Sequence, residues 1–158
     1  MKTMRQISAF FLAIVMALSL AACGGGSEST VVLRGDLTSS VGVPTTDTFT
    51  LTAKGDTVKT IKEVLEMDIS DYDDTSKEYL ISTFESIILE PAKAINGVTC
   101  TSRTEGNIYI IEMTVECTGN AVKEAADAGI LQIDGDSDKI SLKRTQASLE
   151  QQGYKVVE

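Results

Sequence analysis

Histidine and tryptophan are absent from the 158 residues, and basic residues are scarce. Histidine is the usual acid–base group near neutral pH and the commonest metal ligand, so its absence argues against most hydrolase and zinc-site chemistries. A serine nucleophile would need lysine as its base, but the chain has no Ser-x-x-Lys motif. Glycine-rich phosphate loops are also missing, because the cluster at residues 24–26 precedes no strand–helix unit. We therefore expect no cofactor, no metal and no enzymatic activity.

The shortage of positive charge becomes larger beyond residue 22. This part of the chain contains 12 basic and all 23 acidic residues, which gives a net charge of −11. Such a surface is repelled by nucleic acid and by anionic lipid. The composition thus excludes a nucleic-acid partner, and membrane attachment would have to come from something other than charge.

The N-terminus has the features of an export signal. Lys2 and Arg5 precede an apolar run at residues 7–20, which is too short to cross a bilayer. The run ends in Leu20-Ala21-Ala22-Cys23, which matches the lipobox of bacterial lipoproteins. An ordinary signal peptide with a chance cysteine is the alternative. The position of Cys23, directly after a short apolar run and before a spacer, favours lipidation of its thiol.

This pattern divides the chain into three parts. Residues 1–22 are predicted to be a lipoprotein signal peptide, and residues 23–30 a lipidated cysteine with a flexible Gly/Ser tether. Residues 31–158 have the length of a single domain. We expect a monomer outside the cytoplasm, anchored to a bacterial membrane by the lipid on Cys23.

Within this domain, two hairpins are predicted. Residues 48–54 alternate between apolar and polar side chains, Gly55-Asp56 is a turn signal, and residues 57–69 return. The apolar residues of the returning segment do not alternate strictly, which favours a bulge near Glu63 over a helix. Residues 98–103 and 108–117 form the second hairpin.

Helical signals follow each hairpin. A capping box from Thr75 to Glu78 begins an apolar stripe at helical spacing over residues 80–95, and Pro91 is expected to kink or end this helix near Glu90. Two shorter helices are predicted after caps at Asn120 and Ser141. The elements predict an α+β fold, an antiparallel β-sheet built from hairpins with two to three helices packed on one face.

Several of these features together resemble the YehR-like lipoprotein family. They are the lipobox, the "KGD" turn (residues 54–56), a helix leading into "NGV" (residues 96–98), and the C-terminal stretch "SLKRTQASLEQQGYKVVE" (residues 141–158). The order of elements is similar over residues 31–158. The resemblance implies an antiparallel α+β fold and an envelope lipoprotein of uncharacterised activity, and it assigns no catalytic or binding residue. Cys100 and Cys117 depart from the pattern.

These two cysteines are a candidate disulfide, because an exported chain with an even count invites one. A two-residue loop at Gly106-Asn107 places Cys100 opposite Met113, four residues from Cys117. That offset is about 13 Å along a strand, whereas bridged Cα atoms lie within about 7 Å. Two free thiols are therefore favoured over a bridge.

Two acidic segments are weaker candidates. "DGDSD" at residues 134–138 lacks the glycine and glutamate that a calcium loop of the EF-hand type needs, which favours a surface loop. The second segment is a run of acids over residues 63–78. We interpret it as a solvated face in preference to a surface for a basic partner or a weak cation site. It contains Glu63, Glu66, Asp68, Asp71, Asp73, Asp74 and Glu78.

The sequence favours a non-enzymatic binding domain whose partner is an unknown envelope protein, polymer or small ligand. One alternative is an envelope glycan hydrolase that uses a pair of carboxylates, and another is a weakly calcium-responsive structural lipoprotein. An uncovered apolar face or pocket would indicate a binding site.

Overall fold

The computed structural model describes residues 15–17, 26–134 and 139–157. Strand β1 (Val15–Ala17) pairs in parallel with β7 (Gln132–Asp134). The other strands form one antiparallel sheet in the order β5-β6-β4-β3-β2-β8. They are β2 (Glu28–Asp36), β3 (Thr45–Lys54), β4 (Thr57–Asp68), β5 (Val98–Glu105), β6 (Ile108–Glu116) and β8 (Lys155–Val156).

The first helix lies in the connection from β2 to β3, and the other helices follow the two hairpins. They are α1 (Thr38–Val41), α2 (Asp74–Phe84), α3 (Glu90–Lys93), α4 (Ala121–Asp127) and α5 (Leu142–Gln151), with a π turn (Glu85–Leu89) joining α2 to α3. The predicted α+β fold with an antiparallel sheet is therefore confirmed. Helix α1 was not predicted, because residues 38–46 read as a polar connection.

One face of the sheet carries the core and the other faces solvent. On β3 the odd-numbered side chains from Thr45 to Ala53 are buried, whereas the even-numbered threonines are half-buried. The helices cover the buried face and contribute apolar side chains to the same core, among them Phe84, Leu89, Ala92, Val122, Ala125 and Leu149.

Strand β4 contains a bulge, but it does not lie near Glu63. Thr52 pairs with Thr60 and Ala53 pairs with Val58, so Lys59 is the extra residue. From Ile61 to Met67 the alternation is regular, with Glu63 buried among the apolar positions. The apparent break in the pattern at Glu63 was therefore a buried acid and not a change of register.

The helix boundaries correct three further predictions. The N-cap of helix α2 lies two residues earlier than Thr75, because Asp73 is the N-cap and accepts a hydrogen bond from the Ser76 amide. Pro91 does not break the helix, since it lies in the first turn of α3, where a missing amide is tolerated. Asn120 precedes α4 without a side-chain capping bond.

The cap on the last helix is confirmed and is tied to the first hairpin. Ser141 Oγ accepts a hydrogen bond from the Arg144 amide (3.3 Å). The Asp56 carboxylate accepts bonds from Ser141 Oγ (2.7 Å) and from the Lys143 amide (2.9 Å). The turn between β3 and β4 is thereby fastened to the start of α5.

The sheet has two distinct ends. At the end that the predicted tether would join (the tether end), the Ser27 carbonyl accepts a hydrogen bond from the Gly55 amide, so the chain enters β2 beside the β3–β4 turn. At the distal end, the Pro44 carbonyl accepts from the Asp68 amide and the Asn107 carbonyl accepts from the Ile69 amide. Strand β2 has nine residues, and nine residues span about 30 Å.

Candidate functional site

An apolar groove lies at the distal end, between α1 and α2. Its volume is about 590 Å³, within the usual range of small-ligand pockets. Every side chain that lines it is apolar or carries a hydroxyl, and none is charged. The lining residues are Val41, Val43, Tyr72, Thr75, Ser76, Tyr79, Leu80, Thr83 and Phe84.

The groove has a fixed inner side and an exposed rim. Phe84 is buried, and its ring centroid lies 6.3 Å from that of Tyr109 on β6. Tyr79 is 72% exposed, the largest exposed fraction of any large apolar side chain among the described residues. The helical stripe in the sequence identified Leu80 and Phe84 but missed Tyr79 and Tyr72, because neither tyrosine follows the core-facing spacing.

Acidic side chains alternate with the groove-lining residues. Asp71, Asp73, Asp74 and Glu78 lie among Tyr72, Thr75, Ser76 and Tyr79 along the chain, and all four acids are exposed. Hydrogen bonds from Ser76 lower the pKa of Asp73, so this carboxylate is ionised at neutral pH. These four acids of the predicted solvated face are solvent-exposed in the structure.

Glu63 is an exception to that face. It is 4% exposed on the helix-covered side of β4, diagonally across from Asp47 on β3, which is 1% exposed. The Tyr154 hydroxyl donates a 2.6 Å hydrogen bond to Asp47 Oδ2. The expectation of a solvated side chain was therefore wrong for Glu63, and Asp47 and Tyr154 were not identified from the sequence.

Burial changes the ionisation of this acidic pair. Desolvation raises the pKa of Asp47, against the opposing effect of the hydrogen bond from Tyr154. Desolvation and the nearby charge of Asp47 raise the pKa of Glu63. Gly35 provides the space for the tyrosine, since a Cβ there would lie 2.7 Å from the Tyr154 ring. The pair lies within the core, away from the groove-lining residues.

Cys100 and Cys117 are not bonded to each other. Both are free and buried, so the candidate disulfide between Cys100 and Cys117 is not formed. The pairing of Cys100 with Met113 agrees with the predicted register, and Cys117 lies beyond the end of β6. Burial raises the pKa of Cys100 to about 11 and that of Cys117 to about 12, so both thiols stay protonated at neutral pH.

The solvent-facing side of the sheet is largely polar. Strand β3 places four threonines there, and Lys62 of β4 forms a 2.8 Å ion pair with Glu112 of β6. Arg103 of β5 pairs with Glu105 at 2.7 Å. The groove is therefore the apolar concavity that the described residues present to a ligand.

Other predicted sites lie partly or wholly outside the described residues. Cys23 and residues 135–138 of the acidic "DGDSD" loop are among them. Within residues 15–17, 26–134 and 139–157, no group of three or more Cys, Asp or Glu is arranged to hold a metal ion. No helix in those ranges is long and apolar enough to cross a membrane.

Solved structures of similar fold come from two bacteria. The NMR structure of the Escherichia coli YehR protein superposes with a TM-score of 0.66 at 18% identity, covering 85% of this chain and 94% of that one. An NMR structure of a protein from Streptococcus pneumoniae TIGR4 has a TM-score of 0.51 at 12% identity, covering 87% and 90%. At these identities the similarity shows the fold alone. No curated protein matches the chain.

The sequence also matches a family model, which is described as "Protein of unknown function (DUF1307)". The match runs from residue 41 to residue 155 and so includes the groove, the buried acidic pair and the final helix. Together with the fold of the Escherichia coli protein, it confirms the YehR-like resemblance. Because the match covers well over half of the chain, this protein belongs to the DUF1307 family of proteins of unknown function.

Proposed function

We propose that this protein is a lipid-anchored, non-enzymatic binding domain of the bacterial envelope, and that the groove between α1 and α2 is its binding site. The observation that carries the proposal is the uncharged lining of a 590 Å³ groove with Tyr79 exposed at its rim. A cavity of this size and composition suits an apolar group with a few hydrogen-bonding atoms. The hydroxyl-bearing residues in the lining supply the polar contacts.

The position of the carboxylates favours binding over glycan hydrolysis. A glycosidase needs two carboxyl groups facing the substrate at a separation of about 5 to 10 Å. The groove lining contains neither aspartate nor glutamate. Asp47 and Glu63 are close to one another, but both are buried in the helix-covered core. A sugar ring could reach them only after the domain opened.

The binding proposal is tested with N-phenyl-1-naphthylamine, an uncharged apolar dye that fluoresces in apolar surroundings. The sample is residues 23–158 with Cys23→Ser, the processed form without its lipid. We expect saturable binding at one site, weakened at least fivefold by Tyr79→Asp, because a charge at the rim must be desolvated when the dye enters.

Val157→Asp is the matched control, since Val157 is 50% exposed and does not line the groove. It should leave the dye affinity unchanged. Equal affinities for the wild type and Tyr79→Asp would contradict the assignment of the groove.

A further inference from the structure

We propose that the groove binds a basic amphipathic segment of another envelope protein, with apolar side chains in the groove and Lys or Arg against its acidic rim. This inference rests on the proposed function and specifies the partner of the same site. It is carried by the charge of the rim, by the position of the tether and by the exposed aromatic side chain.

The rim carries an excess of negative charge. Residues 68–80 contain five acids and one base, Lys77. Lys77 Nζ donates a hydrogen bond to Asn107 Oδ1 (3.1 Å) on the β5–β6 turn. Hydrogen bonds from Ser70 and Ser76 lower the pKa values of Asp68 and Asp73. Potentials of opposite sign steer partners and select among them, so this rim favours a cationic partner.

The tether places the groove away from the membrane. Three residues lie between Cys23 and Ser27, so Ser27 is four steps along the chain from Cys23, a reach of at most about 14 Å. Ser27 lies at the tether end, and the groove lies at the other end of a strand that spans about 30 Å. Anionic headgroups would also be repelled by the acidic rim. Both facts favour a partner from the envelope space over a lipid of the anchoring bilayer.

Tyr79 has the properties of an interface anchor. Aromatic residues dominate the binding energy of protein interfaces when a partner covers them. Here the ring is 72% exposed beside an apolar groove. A short segment with apolar residues every third or fourth position and lysines between them would cover Tyr79, fill the groove and reach Asp74 and Glu78.

The test uses the full-length lipidated protein in phosphatidylcholine nanodiscs, with empty nanodiscs as background. The probe is a fluorescent 14-residue peptide of leucine, phenylalanine and lysine with apolar residues at helical spacing. A second peptide replaces every lysine with glutamine. By fluorescence anisotropy, we expect the lysine peptide to bind at least tenfold more tightly than the glutamine peptide, and this preference to shrink as salt is raised.

Two variants divide the effect between the groove and its rim. Tyr79→Ser should weaken the lysine peptide at least tenfold, whereas Val157→Ser should not. The double variant Asp74→Asn/Glu78→Gln should weaken it about threefold to tenfold. Its matched control, Glu124→Gln/Asp127→Asn, removes two exposed charges of α4 and should have no effect.

The outcomes separate this inference from the proposed function. Equal binding of both peptides, with loss in Tyr79→Ser, would leave the groove as the site and overturn the basic partner. If both double variants reduce the affinity for the lysine peptide equally, the peptide is attracted to the acidic surface in general. That result would overturn the inference. No binding of either peptide by the wild type would overturn it as well, while the dye titration decides separately whether the groove binds apolar groups.

Discussion

At the scale of single residues, the buried acidic pair makes folding depend on pH. Asp47 and Glu63 are buried side by side, and desolvation raises both pKa values, that of Asp47 to about 7. In the unfolded chain both carboxyls ionise near pH 4. Each of these two carboxyls faces the other. Their polar neighbours are the Tyr154 hydroxyl and the Cys100 thiol, both protonated at neutral pH.

The sign of the effect follows from proton linkage. Between about pH 4 and pH 7 the folded state holds more protons than the unfolded chain, so the free energy of unfolding falls as pH rises. The contribution of Asp47 is complete below about pH 4 and is lost as pH passes through 7. The exposed carboxylates with lowered pKa values, such as Asp73, act in the opposite sense but titrate below this window.

We therefore expect the urea midpoint, followed by far-UV circular dichroism, to be higher at pH 5 than at pH 8. Asp47→Asn keeps an acceptor for the Tyr154 hydroxyl and removes one titrating group, so it should flatten this dependence. Asp127→Asn, at an exposed position, should leave it unchanged. A midpoint that is equal at the two pH values in the wild type would show that the pair ionises freely in the folded protein.

At the scale of the elements, the sequence predicted those features of helices and strands that a short window of residues determines. The β3 alternation, the two-residue turn at Gly106-Asn107 and the Ser141 cap are local patterns, and the structure contains all three. Asp73 and not Thr75 caps helix α2 because several neighbouring polar residues can cap a helix, and the choice among them depends on the entering chain.

The buried Glu63 shows why a pattern can mislead. A carboxyl at a core position costs free energy unless it is neutral or hydrogen-bonded, so periodicity arguments treat it as a solvent position. That treatment made β4 look irregular. The neighbouring acid Asp47 lies on another strand, and Tyr154, which donates a hydrogen bond to Asp47, is 107 residues further along the chain. Such pairing depends on topology and is invisible to a local window.

The bulge itself leads to a prediction for β4. Lys59 is the extra residue between Val58 and Thr60, so deleting it should convert the bulge into a regular ladder and keep Val58 and Ile61 on the core face. We expect the deletion variant to fold with a modest loss of stability, because the bond from the Cys117 amide to the Lys59 carbonyl is removed.

Deletion of Lys62 is the matched control. It also removes a lysine, but from the regular part of the strand. The register on one side of the deletion then shifts by one residue, which exchanges core and solvent positions there. This variant should fail to show cooperative urea unfolding. Equal stabilities of the two deletion variants would contradict the assigned register.

At the scale of the whole molecule, the groove arises from the topology and not from a motif. Its lining comes from α1 and Val43 on one side of the first hairpin in the sequence, and from Tyr72 and α2 on the other side. The sheet order brings these segments to one end of the sheet. The entry to β2 and the hydrogen bonds between Asp56 and the start of α5 lie at the other end. This arrangement places the predicted tether and the groove at opposite ends of the domain, which local sequence patterns could not reveal.

Attachment through Cys23 is a prediction, and the chain contains its own controls for a test of lipidation. When cells are labelled with an alkyne fatty acid, the wild-type protein should carry the label and enter the membrane fraction. Cys23→Ala should lose the label completely, because the lipobox predicts transfer of diacylglycerol to that thiol. Cys100→Ala and Cys117→Ala should retain the label, since both thiols are buried in the fold and stay protonated. Label that persists in Cys23→Ala would overturn the lipobox and, with it, the orientation that directs the groove away from the membrane.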